Sequence, residues 1–62
     1  MAKPRHTRPD VLAAAVIAMR NGKVAFRQFC TRRRLRRHEM GRAMAQTLPE
    51  QEWRELLAAL RQ

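Results

Sequence analysis

Arginine dominates the chemistry open to this chain. Five arginines fall within the six positions Arg32 to Arg37, broken only by Leu35, and Arg27 and Arg42 flank them. A guanidinium presents a planar fork of donors that fits phosphate oxygens and guanine edges, which a lysine ammonium does not. A run this dense is either a solvated face or a surface that holds something anionic. Other reactive types are sparse. Cys30 with His6 or His38 is a nominal thiol–imidazole pair, but Cys30 sits in an apolar stripe that buries it. His6, Cys30 and His38 make at most three metal ligands, at no zinc spacing, so no metal or other cofactor is expected. Three of the five acids, Glu50, Glu52 and Glu55, crowd into one helix start and lack a partner for acid–base work. No glycine-rich phosphate loop exists. Catalysis is therefore not expected.

The balance of charge points towards an anionic partner. Fourteen Lys and Arg against five Asp and Glu give a net charge of +9 over 62 residues. Clustered cations gain by releasing counterions from phosphates, so nucleic acid ranks first, ahead of an anionic membrane surface or an acidic protein. Enrichment in Arg and Ala also follows from a GC-rich bacterial genome, and both causes stay open. The length allows one domain with a modest core. A basic opening, MAKPRHTR, followed by the apolar VLAAAVIAM, mimics a secretory leader. The apolar run is too short to span a membrane, and Pro9 and Asp10 stand before it where they begin a helix. A core helix is the better reading. With a lone thiol suited to a reducing compartment, the expected location is the bacterial cytoplasm or nucleoid, away from membranes.

Four elements must position the arginines. Residues 1–6 read as a flexible basic arm. Thr7 caps a first helix, with Pro9 in its first turn and Asp10 completing a capping box. That helix runs to about residue 20 and places Val11, Leu12, Ala15, Val16 and Met19 on one face. Asn21-Gly22 ends it, with Gly22 as the left-handed cap. A second helix over about 24–33 aligns Ala25, Phe26, Phe29 and Cys30. Leu35 plugs a tight turn, and a third helix over about 36–46 turns Met40, Ala43 and Met44 inward. Thr47-Leu48-Pro49-Glu50 repeats the first start signal. The helix that follows carries Trp53, Leu56, Leu57 and Leu60 on one stripe, and its early glutamates suit the positive end of the helix dipole. The fold class is all-α, tri-helical or tetra-helical, with a core over residues 7–46 and an amphipathic helix over 47–62.

The stretch from Phe26 to Met44 has the size and polarity pattern of two helices pinned by a shared plug. Cys30 is the small residue of the first helix, Arg34 falls at the turn, Leu35 follows it, and Met40 comes five positions later. In this it resembles the helix-turn-helix of phage-repressor-type DNA-binding proteins. Two positions depart from that family. Arg34 stands where glycine is usual, and Arg33 where an apolar residue is usual. An arginine in the left-handed region costs about 1 kcal/mol. The resemblance implies a recognition helix opening at Arg36. Arg36, Arg37, His38 and Arg42 would then meet base edges in the major groove, with Gly41 allowing close approach. Arg27, Arg32, Arg33 and Arg34 would hold phosphates and set the register. The implied activity is transcriptional regulation, chiefly repression.

The stripe of Trp53, Leu56, Leu57 and Leu60 either packs back on its own core or is shared between two copies. A homodimer would set two recognition helices one DNA turn apart. Two other partners compete with duplex DNA. Structured RNA also accepts arginine-rich helices through its shape. A larger protein such as RNA polymerase could dock on the fourth helix, which would make the chain an adaptor.

Overall fold

The computed structural model describes residues 5–61. They form a short 3-10 turn over Arg5–Thr7 and four helices: α1 (Pro9–Arg20), α2 (Lys23–Arg32), α3 (Arg37–Thr47) and α4 (Glu50–Leu60). The described residues contain no strand, so the fold is all-α. Each helix lies within a residue or two of the span its periodicity predicts, and α1, α2 and α3 turn the expected face inward, whereas α4 fully buries only Leu56 of its stripe.

The helix starts differ from the expected ones. Position 8, not Thr7, precedes α1, with Arg8 in extended geometry and no side-chain cap. Pro9 opens the helix, where its missing N–H is no loss. α4 likewise begins after Pro49 without a side-chain cap. The Thr47 hydroxyl serves the other helix: it donates to the Ala43 carbonyl at 2.7 Å, on the last turn of α3. A hydroxyl at the end of a helix can share the carbonyl one turn back with the backbone, which draws it away from the cap of the next helix. Gly22 ends α1 and opens α2 at φ 105° and ψ 177°, a region that only glycine enters cheaply.

The N-terminal residues also differ. Of the arm expected over 1–6, residues 1–4 lie outside the described residues. Arg5 and His6 belong to the 3-10 turn, which packs against α3 and α1. The Arg5 Nη2 donates to the Arg34 carbonyl at 2.9 Å. The His6 Nε2 lies 3.7 Å from the Glu39 Oε2. These two residues hold the body of the fold.

α1 is the shared support of the fold, with the 3-10 turn, α2 and α4 all packed on it. It contributes Val11, Ala15 and Met19 to the core. Phe26 and Cys30 enter from α2, Leu35 from the turn, Met40, Ala43 and Met44 from α3, and Leu56 from α4. Met19, Met40 and Met44 are almost fully buried. Unbranched thioethers fill the irregular gaps between short helices that meet at different angles. No polar or charged side chain is buried among the described residues. Arg20 and Glu52 meet across the α1–α4 seam at 3.8 Å. No helix among the described residues is long and apolar enough to cross a membrane.

Candidate nucleic-acid interface

The cations are arranged by the turn between α2 and α3. The Leu35 N–H donates to the Cys30 carbonyl at 2.8 Å, and the Arg34 N–H to the Thr31 carbonyl at 3.1 Å. This nested pair is a Schellman cap, whose usual companion is an apolar contact between the residue after the cap and the last turn. Leu35 and Cys30, both buried, fill those places. The motif requires a left-handed residue between them, and Arg34 takes it at φ 56°. The chain then extends through Arg36 (φ −84°, ψ 125°) and α3 begins at Arg37. Leu35 therefore points in while Arg33, Arg34 and Arg36 are exposed around it.

Along α3 the buried set is Met40, Ala43 and Met44, so the opposite ridge is His38, Arg42 and Ala45, at spacings of four and three. All three are exposed. Arg37 lies on the flank of that ridge nearer α4. Gly41 is on the same flank. A Cβ placed on it would sit 4.0 Å from the Trp53 ring, so Gly41 faces α4 and not outward, as its expected role in close approach requires. On α2, Arg27, Gln28, Thr31 and Arg32 line a shallow, solvent-open depression. The Arg33 guanidinium lies over the Phe29 ring, 5.6 Å from its centroid, which holds its stem while leaving it exposed.

Residues 23–47 carry eight Lys and Arg and one acid, Glu39, a net of +7. The other acids are engaged elsewhere. Asp10 pairs with Arg8, Glu52 with Arg20, and Glu50 with Arg54 at 2.9 Å, while Glu55 accepts from Gln51. Glu39 reaches Arg36 only at 4.0 Å. Arg27, Arg32, Arg33, Arg34, Arg37 and Arg42 make no ion pair among the described residues. The eight sequence-chosen residues thus lie along α2, the turn and α3, all exposed, and six of their arginines are without an ion pair among the described residues. Cys30 lies beneath them. Burial pushes its thiol above the ordinary value of 9.0, against the opposing pull of the Arg37 guanidinium. His6, Cys30 and His38 are not gathered together, and no three of His, Cys, Asp and Glu meet at metal-binding range among the described residues.

The stripe on α4 divides. Leu56 is only 2 % exposed and belongs to the chain's own core. Trp53, Leu57 and Leu60 are half-buried and form the wall of a groove of about 380 Å³ against α2 and α3. Lys23 and Arg27 stand on its α2 side, Arg37 and His38 on its α3 side. The sequence reading missed Lys23 and the groove. The one available signal was an α4 stripe richer in bulky side chains than a lid needs, opposite a helical glycine. It also missed Arg5, whose contact with the Arg34 carbonyl spans 29 positions and leaves no local mark.

Fold and sequence together define a small all-α domain with most of its net charge in α2, the turn and α3. Comparisons with protein-family models, curated proteins and solved structures found no match for the chain.

Proposed function

We propose that this chain is a sequence-specific duplex-DNA-binding transcriptional regulator of helix-turn-helix type, acting as a repressor. The first turns of α3 enter the major groove. Arg42 and His38 on the outer ridge, Arg37 on its flank and Arg36 at the helix start meet base edges there. Each good bidentate arginine–guanine pair contributes roughly 1–3 kcal/mol of discrimination. Arg27, Arg32, Arg33 and Arg34 hold phosphates on either side and set the register. The positive end of α3 adds to the attraction. Bound across a promoter, the protein blocks polymerase. The observation that carries this reading is the uncompensated +7 of residues 23–47, folded around a Schellman turn that keeps Leu35 inside and its arginines outside.

Parallel selection from random duplex DNA and folded RNA pools, at near-physiological salt, tests it. A short duplex motif containing guanine is the expected product, and a palindrome would add a dimer. Enrichment in the RNA pool alone would transfer the surface to structured RNA. No enrichment in either pool would reduce it to a generic electrostatic patch and move attention to protein partners of α4.

A further inference from the structure

The apolar floor of the groove between α2, α3 and α4 is not used by the function proposed above, which takes only Arg27, Arg37 and His38 from its edge. Its floor is apolar, built from Phe26, Trp53, Leu57 and Leu60. Its rim is cationic: Lys23, Arg27 and Arg37 stand around it, none of them in an ion pair among the described residues, and no acid lines it. Unpaired cations around an apolar floor suit a molecule with an apolar body and one negative head. The size narrows the choice. About 380 Å³ falls at the low end of small-molecule pockets. Gly41 keeps the α3 wall low, because a side chain there would stand against the Trp53 ring.

The geometry points to a second site on this chain: the groove binds a small amphipathic carboxylate, and a bound carboxylate withdraws Arg37 from nucleic acid. The apolar body lies on Trp53, Leu57 and Leu60, and the carboxylate accepts from Arg37 and Lys23 at the rim. Arg37 sits on the flank of the α3 ridge, so the ligand head and a DNA base or phosphate compete for one guanidinium. The ligand is then an inducer, releasing DNA, and by linkage DNA weakens the ligand by the same factor. This second half rests on the DNA reading, whereas the binding half does not.

Trp53 is the only tryptophan and lines the groove, so its emission reports occupancy directly. The test is a titration of the full chain with octanoate, n-octanol and octyltrimethylammonium, at concentrations where none forms micelles. Octanoate should saturate the Trp53 signal at least about tenfold more tightly than the alcohol, and the ammonium should bind more weakly still. Lys23→Ala and Arg37→Ala, both at exposed positions, should each weaken octanoate about threefold or more and leave the alcohol unchanged. No saturable change, or equal binding of acid and alcohol, would overturn the site. Saturating octanoate should also raise the apparent Kd for the selected duplex at least about threefold. Octanoate bound with charge selectivity but without effect on DNA affinity would overturn the inducer role alone. A protein that selects no duplex would fail the DNA reading, and the emission titration would still decide the groove.

Discussion

Arg34→Gly should make the protein more stable, although it removes a side chain from a surface proposed to bind. Arg34 occupies the left-handed position of the Schellman cap at φ 56°. For a residue with a Cβ that conformation costs about 1–2 kcal/mol. Glycine removes this cost but adds unfolded-chain entropy, worth about 0.4–1 kcal/mol against it. The Arg5 contact survives, because it uses the backbone carbonyl of residue 34. The net gain is about 0.5–1 kcal/mol, which for a domain of this size raises Tm by roughly 2–8 °C. Arg34→Ala is the control. It loses the same charge and keeps the backbone cost, so only the difference between the two variants isolates the conformation. Urea unfolding followed by helical circular dichroism and by Trp53 emission would measure both. An alanine variant as stable as the glycine variant would refute the strain argument and assign any gain to relief of charge repulsion. In DNA binding the two variants should agree, each reducing the salt slope by about 0.9 through loss of one phosphate contact.

Four further outcomes are expected. Gly22→Ala should lower stability by about 1–3 kcal/mol in urea unfolding; a Cβ there meets nothing within 4 Å, so the loss is one of backbone and not of packing. Met44→Ala, at a side chain that is 0 % exposed, should cost about 2–5 kcal/mol. A core of this size supplies no more than about 3–5 kcal/mol, so the variant should lose most of its helical dichroism at 25 °C. Arg42→Ala should relax base preference at one position of the selected duplex by roughly 1–3 kcal/mol, while Arg32→Ala should weaken all duplexes alike; equal loss with unchanged preference would remove α3 from the groove. Burial resists ionisation of Cys30, so its folded-state value is raised above 9.0. The associated stability is fully present below that pH and is lost as pH rises past it through the folded-state value. Urea midpoints at pH 7 and pH 10 should therefore fall further in the wild type than in Cys30→Ala.

The helices were legible because their apolar spacing is strict. Met40, Ala43 and Met44 turn inward on α3 at the intervals a helix demands, and all three are buried. The turn was legible for a different reason: Leu35 is apolar among arginines, and an apolar residue in that company has only the core to enter. Capping was misread at Thr47, because a hydroxyl between two helices can bond back to the turn before it instead of capping the helix after it. Thr47 back-bonds to the Ala43 carbonyl at 2.7 Å, four residues behind it in α3. The ordering of Arg5 and His6 was invisible because their partners lie far along the chain, on the α2–α3 turn and on α3. On the candidate site, which arginines are exposed followed from the periodicity. That Arg37 and Gly41 look towards Trp53 did not, since it depends on how α4 crosses α3.

The charge gathered in α2, the turn and α3 also bears on how copies of the protein meet. Two molecules approaching through α2 and α3 bring like fields together, each with a net of +7. That repulsion reaches about 30 Å in 0.01 M salt and about 8 Å at physiological ionic strength. In dilute buffer the protein should therefore behave as a charge-stabilised colloid, with a second virial coefficient that falls as salt is added. A polyanion reverses the sign of the encounter. A polyanion of the kind proposed above would neutralise both faces at once and hold neighbours at a spacing set by its own charges, so crowding along such a polymer would come from the thread and not from any grip between the beads.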